Sequence, residues 1–207
     1  CIVGGETARR VRHGMPVFPG EKEPSVLRDI LPEEVAYVTH RLESNMHTGT
    51  HIDAPFHAKS GTISIDNYPV EMFAGPAAVI DVSGKDVIVM QPGWELIFDE
   101  FKIVLFHTGY SRNWGSEQYY TDYPVFENSV AEALAKANVR IAGFDSPSPD
   151  KAPFAFHSVY LKEGRFLVEN LNNLGALLGH KQVDFMAFPL KIEAEASLIR
   201  AVAVIAA

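Results

Sequence analysis

The segment His47-Thr48-Gly49-Thr50-His51-Ile52-Asp53-Ala54-Pro55-Phe56-His57 holds three of the chain's eight histidines and an aspartate. Counted from His47, the other three polar groups lie four, six and ten residues on, all even steps. On an extended strand, side chains alternate faces, so all four can point the same way. A helix would bring His47 and His51 together but swing Asp53 round the axis. Gly49 and Pro55 also disfavour a helix. Gly49 falls on the same strand face, where the missing side chain would let an ion or substrate approach the backbone. Imidazole suits zinc and other first-row divalent metals, and a carboxylate adds charge and can bridge two ions. A lone histidine reads as an ordinary hydrogen-bonding residue. Three histidines and an aspartate on one face are costly unless something satisfies them, so the set reads as a metal site. Parity alone makes His57 a fourth ligand.

These residues need a rigid frame. Runs rich in Val, Ile and Phe predict strands over Val35–Leu42, Ala77–Val82, Lys102–His107, Arg140–Phe144, Phe166–Glu169, Val183–Phe188 and Leu198–Ile205. Ser129–Ala137 reads as a helix, with Ser129 as its cap and Glu132 three residues on. A second helical patch falls near Asn173–Leu178, and Gln91–Glu100 is ambiguous between helix and loop. Glu21–Glu34 and the aromatic-rich Ser111–Pro124 read as irregular loops. The pattern predicts one α+β, strand-rich domain over residues 1–207, with a large sheet or barrel and no regular alternation of strand and helix.

Composition narrows the function. Hydrophobic residues make up 47% of the chain and charged residues 21%, which excludes disorder as the main state. The net charge of −8 repels phosphate backbones, so a nucleic-acid partner is not expected. No apolar run approaches the length of a membrane span. Cys1 is the single cysteine, so no disulfide forms within the chain, and a cytoplasmic setting is expected. No signal peptide is visible, and a chain starting at Cys1 suggests a trimmed or altered terminus.

The histidine motif resembles the signature of the metal-dependent cyclase-family hydrolases, whose best-known members are bacterial kynurenine formamidases. The resemblance runs from about Gly14 to the end. Met15-Pro16-Val17-Phe18-Pro19-Gly20 resembles the family's substrate loop. Phe144-Asp145-Ser146-Pro147-Ser148-Pro149-Asp150 resembles a loop that precedes a further histidine. Phe188–Glu193 and Arg200–Val202 resemble the closing strands. The resemblance implies the family's swivelling β/β/α barrel-like fold. It implies two divalent ions per subunit, zinc first and manganese as the alternative. His47, His51 and Asp53 would hold the first ion. Asp53 and Glu169 would bridge to a second, which His157 also binds. It makes His57 the proton donor and acceptor rather than a ligand, and Phe18 a substrate contact. It also implies a homodimer or homotetramer acting on a small molecule in tryptophan catabolism.

The expected reaction is cleavage of the amide C–N bond of an N-formyl aryl amine such as N-formylkynurenine, by attack of metal-activated water on the carbonyl. Phe18 stands where many formamidases carry Trp, and Glu6-Thr7-Ala8 replaces an Asp-Leu-Thr-like segment. Some relatives that open cyclic amides carry an amide side chain at the Glu169 position, so Glu169 favours the formamidase-like variant. Trp114 or Tyr119 could also pack on an aryl ring, although ordinary packing is the first expectation for Tyr119 and Tyr120. His13, His40, His107 and His180 read as structural or exposed. The rival readings are hydrolysis of a cyclic amide (isatin-hydrolase-like) or of a lactone-like ring on the same fold, a non-catalytic metal-binding or ligand-binding module, and a structural zinc site, which normally favours cysteine-rich sets.

Overall fold

The computed structural model describes residues 3–59, 61–162 and 164–205, so Cys1 lies outside the described residues. Thirteen strands are present among them: β1 Val3–Glu6, β2 Ser25–Arg28, β3 His40–Glu43, β4 His51–Asp53, β5 Ala74–Asp81, β6 Val87–Ile88, β7 Ile103–His107, β8 Val125–Phe126, β9 Ile141–Phe144, β10 Phe166–Glu169, β11 Val183–Met186, β12 Ala196–Leu198 and β13 Val202–Ile205. The α-helices are α1 Trp94–Glu100, α2 Asn128–Lys136 and α3 Ala155–Tyr160. Nine strands form one mixed sheet in the order β1-β13-β11-β5-β7-β9-β10-β4-β12.

The central strands β5, β7, β9 and β10 are parallel neighbours. Their apolar residues alternate between two cores. Ala78, Ile80, Val104, Phe106, Ala142, Phe144 and Leu167 meet the helices on one face. Ala77, Ile103, Leu105, Ile141, Phe166 and Val168 fill the opposite core with Phe185 and Ala203. Both faces are covered, which explains why these strands read as continuous apolar runs.

One short connection shows how the sheet curves. β12 ends at Leu198 and β13 starts at Val202, yet β12 is the last strand of the order and β13 the second. Three intervening residues reach only about 10–14 Å when extended. The two edges must therefore approach one another, and the sheet curls into a half-barrel. Backbone bonds from Ile199 N to Thr50 O and from Thr7 N to Ala201 O secure that closure.

The strand-rich α+β expectation holds, with local corrections. Leu198–Ile205 is two strands, broken where the chain crosses between edges. Val35–Leu42 is strand only from His40, because Val35 to Thr39 has no ladder partner. Glu21–Glu34 is not all loop: Ser25–Arg28 pairs with β3 as a separate hairpin. Ser129 does not cap α2. The helix starts at Asn128 with Glu127 at the cap position, which places Ser129 inside the first turn. Gln91–Glu100 resolves as α1, entered through Gly93 in the left-handed region. Asn173–Leu178 contains a single 3-10 turn, Leu174–Leu177.

Candidate metal centre and substrate cavity

β4 and β10 run antiparallel, with His51 opposite Glu169 and Asp53 opposite Leu167. Ile52 and Val168 enter the barrel core, and Leu167 enters the core beneath the helices. Strand alternation therefore places His51, Asp53 and Glu169 together on the helix side. His51 Nε2 lies 3.5 Å from Asp53 Oδ1 and 3.4 Å from Glu169 Oε2. All three side chains are buried.

His47 and His57 arrive differently. The extended stretch is only Ile52 with its two neighbours, so the single-face strand expected from His47 to His57 is not formed. Gly49 turns the chain in the left-handed region at φ 64°. A Cβ there would meet Met15 Cε at 3.2 Å, so the space beside Gly49 belongs to Met15 and not to an ion or substrate. That turn folds His47 back until its Nδ1 is 2.9 Å from Asp53 Oδ1. Beyond Pro55, a turn with a bond from His57 N to Ala54 O brings the His57 ring to 4.2 Å from that of His47.

The remaining histidine comes from α3. His157 Nε2 lies 3.4 Å from Glu169 Oε1. Its Nδ1 is 2.7 Å from Asp150 Oδ1, while Asp150 Oδ2 accepts the backbone N–H groups of Phe156 and His157. His51 Nδ1 is 2.9 Å from Gly49 O, and His47 Nε2 is 3.3 Å from Glu195 Oε1. Each of the three rings thus has one nitrogen against an oxygen acceptor outside the cluster. With the proton on that nitrogen, the other presents its lone pair inward, the arrangement that orients metal-binding histidines.

The inner groups are all acceptors in that state. Both oxygens of Asp53, Oε1 of Glu169 and Nε2 of His51 are buried and satisfied by no hydrogen bond. Buried, unsatisfied carboxylates are costly without positive charge. Burial opposes a charge on His47 and on His157, yet Asp53 for the first and Asp150 with Glu169 for the second lift each to about 10. Burial likewise opposes ionisation of Asp53 and Glu169, but the surrounding histidines hold both carboxyls below their usual range. The cluster demands positive charge, and a divalent cation fits this mixed imidazole–carboxylate set. Ligand atoms of His51, Asp53 and Glu169 lie within 4.8 Å of one another, as do those of His47, Asp53 and His57.

The cluster forms the floor of a cavity of about 390 Å³. His57 is accessible through that cavity, but surrounding protein depresses its pKa, with Asp53 opposing and His47 and His157 repelling its charge. Phe18, Tyr120 and Phe154 supply aromatic wall. Phe18 meets Tyr120 edge-on at 5.8 Å, and Tyr120 donates its hydroxyl to Pro16 O. Phe154 stands edge-on to His157 at 5.9 Å. The structure therefore brings together His47, His51, Asp53, His57, His157, Glu169 and Phe18.

Some expectations for neighbouring residues change. Tyr120 is a cavity wall rather than ordinary packing, whereas Tyr119 is core. Trp114 packs on Tyr119 and beneath the Arg9 guanidinium, away from the cavity. His107 is structural: Asp145 accepts from its side and from Thr108 and Gly109. Sequence reasoning did not assign Asp150, Glu195 or Phe154. Asp150 offered one signal, an acidic residue seven before His157 in a loop rich in Ser and Pro. Glu195 and Phe154 offered none, because their roles depend on contacts across the fold. Among the described residues, no helix is long and apolar enough to cross a membrane.

Residues 8–151 match the Cyclase family model, described as "Putative cyclase". The chain is 31% identical over 170 residues to a kynurenine formamidase of Bacillus cytotoxicus, covering 78% of each chain. It is 30% identical over 206 residues to a kynurenine formamidase of Salinibacter ruber, covering 95% of each. Isatin hydrolase A from Labrenzia aggregata, solved with benzyl benzoate, superposes with a TM-score of 0.85 at 23% identity, covering 99% of this chain and 94% of that one. A predicted metal-dependent hydrolase from Bacillus stearothermophilus gives a TM-score of 0.81 at 24% identity, covering 99% and 98%. The matched motif, the curled sheet and the converging acceptors agree, and the chain belongs to the cyclase family of metal-dependent hydrolases.

Proposed function

We propose that this protein hydrolyses an amide C–N bond of an N-formyl aryl amine, with N-formylkynurenine as the first substrate to test. The observation that carries the reading is the convergence of unsatisfied acceptors on Asp53 and Glu169 at the floor of an aromatic-walled cavity. His47, His51 and Asp53 are the set for one divalent cation. Asp53 and Glu169, with His157, are the set for a second, with zinc and manganese as the candidate ions. When bound, a divalent cation supplies Lewis-acid polarisation of a carbonyl and lowers the pKa of a water toward roughly 7.

The chain's own groups do the rest. Asp150, Glu195 and the Gly49 carbonyl hold the three ligand rings in one orientation. Phe18, Tyr120 and Phe154 offer ring edges and faces to an aryl group. His57 carries the proton to the departing nitrogen. Burial lowers its pKa and so favours the neutral ring, which can accept a proton before donating it. The kynurenine formamidase relatives support the formyl group as the acyl part. We further propose that the protein works as a homodimer or homotetramer on a small-molecule substrate.

The test is turnover of N-formylkynurenine by protein reloaded separately with zinc and with manganese, against chelated protein as blank. Metal-dependent turnover supports the reading and names the working ion. A metal-filled protein without turnover removes this substrate and directs the assay to cyclic amides, whose opening needs the same attack on a carbonyl.

A further inference from the structure

We infer that Glu21 selects for substrates bearing a positive charge on the side chain of the aryl ring, so that the preferred class is an N-acyl aryl amine whose side chain carries an ammonium group, alone or, as in N-formylkynurenine, beside a carboxylate. The inference rests on the amide-hydrolase reading for the reacting end and adds the chemistry of the opposite end.

Outside the histidine cluster, the charge on the cavity lining is of one sign. Glu21 and Glu169 contribute carboxylates, and among the described residues no Lys or Arg lines it. Glu169 is buried within the histidine cluster, whereas Glu21 is exposed and belongs to the same turn as Phe18. That turn is fixed by a 3.0 Å bond from Glu21 N to Phe18 O. Glu21 Oε2 accepts from the Asn45 side-chain amide, and Asn45 Oδ1 accepts the His47 backbone N–H at 2.8 Å. The carboxylate is therefore braced against the loop that presents His47. Oε1 makes no hydrogen bond or ion pair among the described residues, which leaves it for a ligand.

The neighbouring cations are engaged elsewhere. Lys22 pairs with Glu43. Arg9 donates to Ser111 O and lies over the Trp114 ring. Among the described residues, no Lys or Arg on this wall answers a substrate carboxylate. A ring against Phe18 would place its outer substituent beside Glu21, which attracts an ammonium and repels a carboxylate. The net charge of −8 adds a weaker field of the same sign.

Three N-formyl anilines of matched size provide the test, with side chains ending in ammonium, hydroxyl or carboxylate. Their kcat/KM values are compared in the metal-loaded protein and in Glu21→Gln, which retains an acceptor for Asn45. Binding of the corresponding deformylated anilines is measured by calorimetry in parallel. The expected order is ammonium, then hydroxyl, then carboxylate. The ammonium-to-hydroxyl ratio should exceed one by about fivefold and collapse in Glu21→Gln, as for one exposed ion pair. High salt should shrink the ratio in the wild type alone. Reading a ratio cancels any loss common to all substrates. Turnover with a flat ratio, or a ratio untouched by Glu21→Gln, overturns the inference and leaves the hydrolase reading standing. Absence of turnover with Glu21-dependent preference for the cationic aniline does the reverse. Absence of any cation preference in both turnover and binding overturns the inference.

Discussion

His51 and Glu169 face each other across the β4–β10 ladder, with His51 Nε2 3.4 Å from Glu169 Oε2. Two residues remote in sequence become a direct cross-strand pair, and the adjoining turns deliver His47 and His57 to the same point. The ladder also explains the burial of the cluster, because α3 closes over that face and adds His157.

His57 separates two readings of the site. Its ring nitrogen can join His47 and Asp53 within 4.8 Å, as a ligand would, but it is also the most exposed of the four histidines that line the cavity. We expect His57→Ala to lower kcat by roughly a hundred- to ten-thousand-fold, the usual worth of general acid–base catalysis. Bound metal per subunit, measured by elemental analysis, should stay at the wild-type value. Loss of metal together with activity would make His57 a ligand.

Asp150 acts through His157. Its Oδ1 lies 2.7 Å from His157 Nδ1, and its Oδ2 anchors the first turn of α3. Asp150→Asn keeps the shape but loses the charge that holds the ring. Metal affinity should fall about 10- to 100-fold, read by competition with a chromogenic chelator. An unchanged affinity would show that α3 alone positions His157.

Gly49 is required by its backbone. An L side chain in its left-handed conformation costs about 1–2 kcal/mol, and the new Cβ would press on Met15. Gly49→Ala should lower stability by about that amount in urea unfolding. It should also weaken metal binding, because the Gly49 carbonyl orients His51. A stable variant with wild-type metal affinity would argue against this account of the turn.

His107 gives a pH signature away from the metal centre. The bond to Asp145 raises its pKa above the ordinary 6.5, burial opposing, with Asp81 adding to the rise and Arg112 subtracting. A group raised in the folded state contributes stability below its unfolded pKa and loses it as pH rises through the folded value. The stability gap between wild type and His107→Gln should therefore be largest below about pH 6.5 and narrow at higher pH. Urea titrations at a series of pH values would read it, and a gap that widens with pH would refute the assignment.

Much of the frame is legible in the chain itself. Ile103–His107, Ile141–Phe144 and Phe166–Glu169 stand out as strands because covered parallel strands are apolar throughout. The motif from His47 to His57 declares its chemistry, since so many metal-binding groups in eleven residues have few other uses. Residue types and short-range spacing determine that much, because they act locally.

Long-range contacts decided the rest. The even spacing from His47 to His57 suggested one strand, but the geometry comes from a left-handed Gly49 and a turn after Pro55. Leu198–Ile205 suggested one strand, but its halves lie on opposite sides of a curled sheet, β12 at one edge and β13 next to the other. Asp150, Glu195 and Glu21 are ordinary acidic residues in the sequence. Only the fold sets Asp150 behind His157, Glu195 behind His47 and Glu21 against Asn45, because a carboxylate's role depends on which partner the folded backbone brings within hydrogen-bond reach.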